Sequence, residues 1–403
     1  MVSNLLYSPS ERTPKYSTSL RIAQGITAAL AFSILLAGTN ATTPMLPLYH
    51  QVLSFTPLMM SLTFVCYVSV LIGVLLICSH PTFVRWSSPM LCLSLLVAAI
   101  SDVFLSTATG SGILLGRAIA GIAGGIGTGS AAALVVAALG SLGRSLSATG
   151  NLIGAVAGTA FAQACIALWG AAAMRWTFLF HGVVCLFLLI ALSIILVLRH
   201  QDNSKLLCEV SKGKAVVWSS IRNHPIALTV GCLSWITISA AIVSLPSFYA
   251  ALEMGWISAY GIIILLAFSA AGQLCSPWLG QIAPWSSGVA TITAGIIFLL
   301  LGADLRLSSL ATIGFAVIGM GIGVSYRLGL ITFTKGSSPA QQGALSSFYA
   351  AITYGAAAAC ALALGIAGNE VGLHMTVIIL FGILAALTLL LSGKAPCLGN
   401  TRE

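Results

Sequence analysis

The feature that most constrains this chain is a succession of long apolar segments, each close to the length that crosses a bilayer. A helix needs about 20 mostly apolar residues to span the hydrocarbon core. Only 6% of the 403 residues are charged, whereas soluble domains carry roughly 25%. A water-soluble fold of this length could not cover its surface with so few charges, but a lipid-facing surface needs none. We therefore expect an all-α membrane protein.

Breaks at proline, glycine and charged residues divide the chain into twelve predicted transmembrane helices. The shortest turns follow the third and the ninth of them, at 109–112 and 304–308. The 41 glycines fit this interpretation, because small residues let membrane helices pack closely. The predicted spans are 22–41, 58–78, 89–109, 112–138, 146–170, 176–198, 226–249, 256–280, 286–304, 308–333, 341–367 and 372–392.

Basic residues outside these spans lie mostly on one side of the membrane. Cytoplasmic loops carry an excess of Lys and Arg, so we place the N-terminus in the cytoplasm. Only Arg175 and Arg306 then fall on the opposite side. Both termini are therefore predicted to be cytoplasmic, in a multi-pass protein of the inner cell membrane. The predicted cytoplasmic basic residues are Arg12, Lys15, Arg21, Arg85, Arg144, Arg199, Lys205, Lys212, Lys214, Arg222, Lys335, Lys394 and Arg402.

A polar, basic stretch at 199–225 separates six spans from six more and is interpreted as a cytoplasmic linker. Two sequence matches recur across it at nearly the same offset. LPLYHQVL at 46–53 resembles LPSFYAAL at 245–252, and GGIGTG at 124–129 resembles GMGIGV at 319–324. Parallel repeats of this kind are typical of transporters. The predicted parts are a tail 1–21, a six-helix bundle 22–198, the linker 199–225, a second bundle 226–393 and a tail 394–403.

The sequence offers little support for metal, cofactor or nucleic-acid binding. The ten cysteines form no C-x-x-C pair and most lie inside apolar runs, where cysteine behaves as a small apolar residue. The net charge of +9 comes from residues scattered between spans rather than from a basic domain. We therefore predict no metal, no cofactor and no nucleic-acid partner, and a monomer surrounded by lipid.

Enzyme motifs are missing from the sequence as well. It contains no H-E-x-x-H, no G-x-S-x-G and no phosphate-binding G-x-x-x-x-G-K-[ST]. A membrane enzyme and an ATP-driven pump are both disfavoured on this ground.

Two motifs and the layout carry a family resemblance. ILLGRAIAG at 113–121, in the fourth span, resembles a pattern of the major facilitator superfamily that contains a buried arginine and a glycine. GNLIGAVAG at 150–158, in the fifth span, resembles the family's antiporter pattern, with Ala155 in place of its proline and Thr159 in place of its last glycine. Residues 39–76 also resemble the first two helices of bacterial drug and metabolite exporters of this superfamily.

The resemblance implies two six-helix halves that rock about a central cavity lined by the first, fourth, seventh and tenth spans. It assigns Arg117 to the buried arginine. It assigns Gly121, Gly150, Gly154 and Gly158 to conformational motifs, of which the last three favour export over import.

The chain departs from the family at the loop after the second span, CSHPTFVRWSSP at 78–89. The family carries there an acidic residue that helps to hold the outward-open state. Here the acid is absent and Arg85 is the one basic residue. The departure implies a different lock, a shifted conformational balance or reduced transport.

Ionisable residues inside a membrane indicate function by default. Asp102 and Arg117 lie equally far from the turn at 109–112, so they are predicted to share a depth and could form a buried ion pair. One interpretation is a static pair that neutralises both charges. The other is that proton or substrate binding opens the pair, with Asp102 taking up a proton.

Two further intramembrane groups have alternative interpretations. Arg327 either extends to the cytoplasmic surface or faces the cavity. His181 is either a packed, hydrogen-bonded residue or, with Asp102, a proton-coupling group.

Substrate-binding candidates are Arg117, Arg327 and neutral polar or aromatic residues on helices that line the cavity in the family. About a third of the neutral set is expected to line the transport path. These are Asn40, Tyr67, Gln163, Trp235, Tyr249, Gln273, Tyr349 and Tyr354.

The preferred function is a secondary active transporter that exports a small drug or metabolite by proton-coupled antiport. Because the intramembrane arginines outnumber the one acid, the substrate is expected to carry a carboxylate or another anionic group, as a metallophore does. An uptake permease for a small organic acid and a non-transporting sensor built on the same fold are the alternatives.

Overall fold

The computed structural model describes residues 15–78, 86–139, 141–198, 220–336 and 339–401. Within these ranges the chain forms twelve long helices and no strand. Each of the twelve predicted spans corresponds to one of them. They are α1 (Lys15–Asn40), α2 (Pro57–Cys78), α3 (Ser87–Leu105), α4 (Gly110–Leu139), α5 (Ser141–Trp169), α6 (Ala173–Leu198), α7 (Pro225–Ala251), α8 (Gly255–Ile282), α9 (Gly288–Asp304), α10 (Ser308–Thr334), α11 (Pro339–Val371) and α12 (Leu373–Ser392).

The length and composition of these helices suit a membrane. Ten stretches of the described chain are long and apolar enough to cross a bilayer, and one of them, 152–198, contains most of α5 and all of α6. The helix α9 is apolar but has only 17 residues. The all-α, multi-pass membrane fold is therefore confirmed, while the number of twelve crossings stays a prediction.

The internal repeat has a counterpart in the backbone. After α1 the chain forms a short helix, Leu46–Leu53, which ends at Ser54 with φ of 54°. The matching sequence is the last part of α7 and is followed by Glu253 with φ of 61°. Ala108 and Arg306, at φ of 52°, likewise follow α3 and α9. L-residues rarely adopt this left-handed conformation, so its recurrence at matching positions of both halves reflects a shared chain path.

The two halves contact each other mainly through α2 with α11 and through α5 with α8. At the predicted outer ends, the backbone N–H of Leu58 donates to Asn369 Oδ1 at 3.1 Å. Nearby, the hydroxyl of Ser247 donates to Met60 Sδ at 3.4 Å. Gly365 lies so close to Ser61 that a Cβ would come within 2.6 Å of it. The halves are thus packed together at the ends predicted to face outward.

Some predicted regions fall outside the described residues. These are most of the N-terminal tail, most of the loop at 78–89 and the linker up to residue 219. The C-terminal tail is described to residue 401 and packs on the turn between α8 and α9. There the N–H of Leu398 donates to Ser286 O at 3.1 Å, and the N–H of Gly399 donates to Pro284 O at 2.8 Å.

Candidate functional site

Arg117 lies in the first third of α4, with only 4% of its surface exposed. Its Nε–H donates to Thr63 O at 2.8 Å, and its Nη1 donates to Thr39 O at 2.7 Å and to Thr42 Oγ1 at 3.3 Å. Its guanidinium carbon is 4.5 Å from the ring centroid of Tyr67. The side chain is therefore fixed by the backbones of α1 and α2 and by one aromatic face.

The guanidinium retains unused donors. Its five N–H groups exceed the hydrogen bonds just described, and no described residue accepts a bond from Nη2. Among the described residues, no carboxylate lies within ion-pair distance of Arg117, since the one ion pair found there joins Asp102 and His181. A buried charge without a counter-ion is costly. Among the described residues, nothing neutralises the charge of Arg117.

Arg117 borders a cavity of about 90 Å³ between the two halves. A drug-sized ligand needs a site of roughly 300–1,000 Å³, so this conformation is too closed to hold one. A second cavity of about 220 Å³ adjoins it, shares Tyr67 and Tyr354, and extends to Thr128 and Ser346 towards the predicted cytoplasmic side. The first cavity is lined by Leu36, Thr39, Asn40, Thr42, Thr43, Leu46, Thr63, Phe64, Tyr67, Val68, Leu71, Arg117, Trp235, Ile242, Val243 and Tyr354.

The wall opposite Arg117 is aromatic and comes from the C-terminal half. Trp235, on α7, packs edge-on against Tyr354, on α11, with ring centroids 4.2 Å apart and an interplanar angle of 82°. Tyr326 packs against Trp235 from the far side at 5.9 Å. Edge-to-face packing of this kind holds rings in defined positions. The cavity therefore combines one cation with a fixed apolar wall.

Half of the predicted substrate-binding residues meet at this cavity, namely Arg117, Asn40, Tyr67, Trp235 and Tyr354. The Nδ2 of Asn40 donates to Leu36 O at 2.8 Å and to Thr39 Oγ1 at 3.3 Å. Two predicted tyrosines are instead buried structural residues. Tyr249 donates its hydroxyl to Leu299 O at 2.8 Å, and Tyr349 donates to Ala227 O at 3.2 Å.

Arg327, Gln273 and Gln163 lie away from the cavity lining. Arg327, half-buried on α10, donates through Nη1 to the carbonyl oxygen of Gln273 and to the hydroxyl of Ser276, both on α8. These contacts join α10 to α8, so Arg327 does not face the cavity in this conformation. Gln163 is half-buried on α5.

The predicted ion pair between Asp102 and Arg117 is wrong. Ser101 donates its hydroxyl to Gly116 O at 2.8 Å, so these two residues face each other where α3 packs on α4. Asp102 and Arg117 are each one residue further along their helices. Because one residue turns a helix by about 100°, their side chains point away from that contact. The two side chains therefore face different neighbours.

Asp102 pairs with His181 instead. Its Oδ2 lies 2.7 Å from His181 Nδ1, and the two residues are 3% and 8% exposed. The opposite nitrogen, Nε2, lies 2.8 Å from the carbonyl oxygen of Ile34 on α1. The thiol of Cys185 lies 3.8 Å and 3.7 Å from the two ring nitrogens. His181 is thus hydrogen-bonded on both sides.

Asp102, His181 and Cys185 are the one cluster of three possible metal ligands in the described part of the chain. Its geometry suits a hydrogen bond better than a metal ion. Each of the two ring nitrogens already faces an oxygen at hydrogen-bond distance, so neither is left to bind a metal.

The motif glycines permit close helix packing. A Cβ at Gly158 would overlap the carbonyl oxygen of Ala37, and one at Gly154 would overlap that of Ser33. Both contacts join α5 to α1. Gly121 lies in the same way against Tyr67 O on α2. Gly150 belongs to α5, but its surroundings lie outside the described residues.

The threonines of the site were not among the predicted residues. Thr39, Thr42 and Thr63 bind Arg117 through two backbone carbonyls and one hydroxyl. The cluster TNATTP at 39–44 was the available signal, because polar residues at the end of an apolar span rarely face lipid.

Comparison with known proteins fits this geometry. The family model of the Major Facilitator Superfamily matches residues 28–362, most of the chain. The chain belongs to the major facilitator superfamily. No curated protein matches the sequence. The membership explains the paired halves and the central position of the cavity.

Solved structures of other members share the fold. A bacterial homologue of the human lysosomal transporter Spinster, inward-facing and unoccupied, has a TM-score of 0.71 at 14% identity, over 93% of this chain and 97% of that one. The nucleoside transporter NupG has 0.67 at 14%, over 92% and 98%. A D-xylose–proton symporter has 0.65 at 11%, over 96% and 99%. At these identities the likeness shows the fold alone.

Proposed function

We propose that this protein exports small organic molecules bearing an anionic group, such as a carboxylate, in exchange for protons. In this proposal it works as a monomer in the inner cell membrane, with both termini in the cytoplasm. The observation that carries the proposal is the buried guanidinium of Arg117, which borders the central cavity with Nη2 free of described partners and no described carboxylate nearby.

The chemistry of this site favours an anion over a cation. A carboxylate at the cavity would receive charge-assisted hydrogen bonds from Nη2 and would neutralise the buried charge. Arg117 would repel a lipophilic cation, and among the described residues no carboxylate pairs with Arg117 that could attract one. The apolar body of the substrate would rest on Trp235 and Tyr354.

Alternating access is supported by the distribution of space and contacts. The halves are packed together at the predicted outer ends, while the cavities extend towards the predicted cytoplasmic side. This arrangement suits loading from the cytoplasm, which an exporter requires. The close contacts of Gly154 and Gly158 with α1 involve glycines that the resemblance associates with antiport.

Proton coupling has support from the buried pair of Asp102 and His181, two groups able to exchange a proton inside the membrane. One solved structure of similar fold is named as a proton symporter. Proton-coupled transport therefore occurs on this fold.

The test is transport by the purified protein in proteoliposomes against matched organic anions, neutral molecules and quaternary ammonium cations, with and without a pH gradient. We expect gradient-stimulated movement of anions. Arg117→Ala should abolish it, whereas Arg327→Gln, which removes an arginine outside the cavity lining, should leave it measurable. Strong export of the ammonium cations, or full activity of Arg117→Ala, would refute the proposal. Accumulation along an inward proton gradient would indicate an uptake permease.

A further inference from the structure

We propose that His181 and Asp102 together form the site that carries the coupling proton, and that the proton controls how firmly α1 is held beside the substrate cavity. The role in coupling rests on the proposed transport function, whereas the hydrogen bonds of the pair do not depend on it. The pair joins three helices, since Asp102 belongs to α3, His181 to α6 and the accepting carbonyl of Ile34 to α1.

The two contacts of the His181 ring determine how many protons the pair must hold. The carbonyl oxygen of Ile34 only accepts hydrogen bonds, so Nε2 must carry a hydrogen. At 2.7 Å, Nδ1 and Asp102 Oδ2 also need one hydrogen between them. An imidazolium beside a carboxylate meets both needs, and so does a neutral imidazole beside a carboxylic acid. Both forms hold one proton more than a neutral ring beside a carboxylate.

Loss of that proton breaks one of the two contacts. A neutral imidazole has one N–H. If the hydrogen stays on Nε2, the lone pair of Nδ1 faces the carboxylate. If it stays on Nδ1, the lone pair of Nε2 faces the carbonyl of Ile34. Either arrangement places two acceptors within 2.8 Å, so the ring must leave α1 or leave Asp102.

The proton step is balanced. On binding, one proton passes from water to the pair, whose net charge changes from −1 to zero, and no bond between heavy atoms forms or breaks. On release, the proton returns to water, the pair regains its net charge of −1 and the ring loses one of its two contacts. A negative charge in an apolar interior is unfavourable, so the two states differ in free energy through this one group.

The helix α1 connects the proton site to the cavity. A Cβ at Gly38 would overlap the His181 ring, so the ring lies directly on this helix. One residue further along, Thr39 O accepts from Arg117 Nη1, and Asn40 lines the cavity. The same stretch of α1 therefore contacts the proton site on one side and the substrate-binding arginine on the other.

Few other ionisable groups face the pair. The helix α6 contributes Cys185 beside the ring. From α1 and α4, the residues that line the small cavity of about 10 Å³ at the pair carry no charge. Arg117 reaches the opposite side of Thr39. These lining residues are Leu35, Gly38, Thr39, Ala120, Ala123 and Gly124.

Direct observation of the ring tests the first part of the proposal. The chain has 6 histidines, so the signals of His181 in solid-state ¹⁵N NMR of the full protein in bilayers are those absent from His181→Gln. We expect Nε2 protonated and Nδ1 sharing a proton at low pH, with a transition on raising the pH. A ring that keeps one unchanged neutral form from about pH 5 to about pH 9, the range that brackets the ordinary histidine pKa, would overturn the proposal.

Asp102→Asn provides a second, substrate-free test. The amide of Asn can donate to Nδ1 of a neutral ring, so it satisfies both contacts of His181 without the proton. The wild-type folded state should hold about one proton more than the unfolded state. Above the pKa of histidine in the unfolded chain, the ratio of folded to unfolded protein should therefore fall up to roughly tenfold per pH unit. The apparent Tm should fall with rising pH in the wild type and far less in Asp102→Asn.

Matched controls are the exposed Asp304→Asn and the exposed His374→Gln. Both should keep the wild-type pH profile of the Tm. If Asp102→Asn also keeps that profile, the proposal fails. If Asp102→Asn does not fold, the NMR measurement and the pH profile of His181→Gln decide instead, since that variant also lacks the proton site.

Transport separates this proposal from the proposed function. With the membrane potential clamped at zero, a gradient of one pH unit can sustain a roughly tenfold concentration ratio of substrate if one proton is exchanged per substrate molecule. Asp102→Asn should still move substrate down its own gradient but gain nothing from the pH gradient. Wild-type stimulation in Asp102→Asn would overturn the coupling role. Absence of any transport in the wild type would refute the proposed function, while the NMR and Tm measurements would still test the proton site.

Discussion

The guanidinium of Arg117 lies over the ring of Tyr67, with the guanidinium carbon 4.5 Å from the ring centroid. The two residues come from adjacent helices, α4 and α2, and both line the central cavity. A cation over an aromatic face gains roughly 0.5–2 kcal/mol. The ring thus stabilises a buried charge that has no described carboxylate beside it.

Replacement of Tyr67 should weaken substrate binding by removing this support. Tyr67→Phe keeps the ring and should transport at close to the wild-type rate. Tyr67→Ala loses about 1 kcal/mol of cation–π stabilisation and should raise the apparent KM roughly fivefold or more. Transport kinetics in proteoliposomes give the answer, with Tyr260→Ala, a partly exposed residue of α8, as the control. Equal kinetics for Tyr67→Ala and wild type would contradict this role.

Trp235 should set the size of the substrate. Its ring packs edge-on against Tyr354 at 4.2 Å and forms the apolar wall. Trp235→Ala should enlarge the cavity, lower affinity for small anions and shift preference towards bulkier ones. Competition between anions of graded size measures this shift. Trp256→Ala, an exposed control on α8, should leave the ranking unchanged, and an unchanged ranking in Trp235→Ala would remove Trp235 from substrate selection.

Gly158 should be required for the contact between α5 and α1. A methyl group there would overlap the carbonyl oxygen of Ala37, so the helices would have to separate. We expect Gly158→Ala to cost about 1–3 kcal/mol, as overpacking does, and to lower the apparent Tm in detergent. Gly382→Ala is the matched control, because no atom lies within 4 Å of its added Cβ. A Tm equal to that of the control would refute the close-contact argument.

The outer contact between the halves should separate during transport. Met60 and Ser247 come from α2 and α7, with Ser247 Oγ 3.4 Å from Met60 Sδ. A double variant, Met60→Cys with Ser247→Cys, should be joined by a short cleavable thiol-reactive cross-linker and stop transport, and cleavage of the linker should restore it. Each single variant serves as control. Undiminished transport by the fully cross-linked protein would show that this contact does not open.

Much of the fold could be predicted from sequence because a bilayer imposes a simple rule. Every backbone polar group must be satisfied internally, so each long apolar segment becomes a helix. The matched repeats at 46–53 and 245–252 even marked equivalent turns, which end at Ser54 and Glu253. Arg117 could be found because a charge inside an apolar span is rare. These features depend on residues close together in the chain.

Tertiary structure decided which polar groups meet. The sequence predicted that Asp102 and Arg117 lie at one depth, but depth does not fix the direction in which a side chain points. Helix rotation, set by the contact of Ser101 with Gly116, turns Asp102 towards His181, 79 residues away in the chain. The same packing turns Arg117 towards the carbonyls of α1 and α2. Hydropathy thus determined where the helices lie, whereas contacts between distant residues determined what each buried polar group binds.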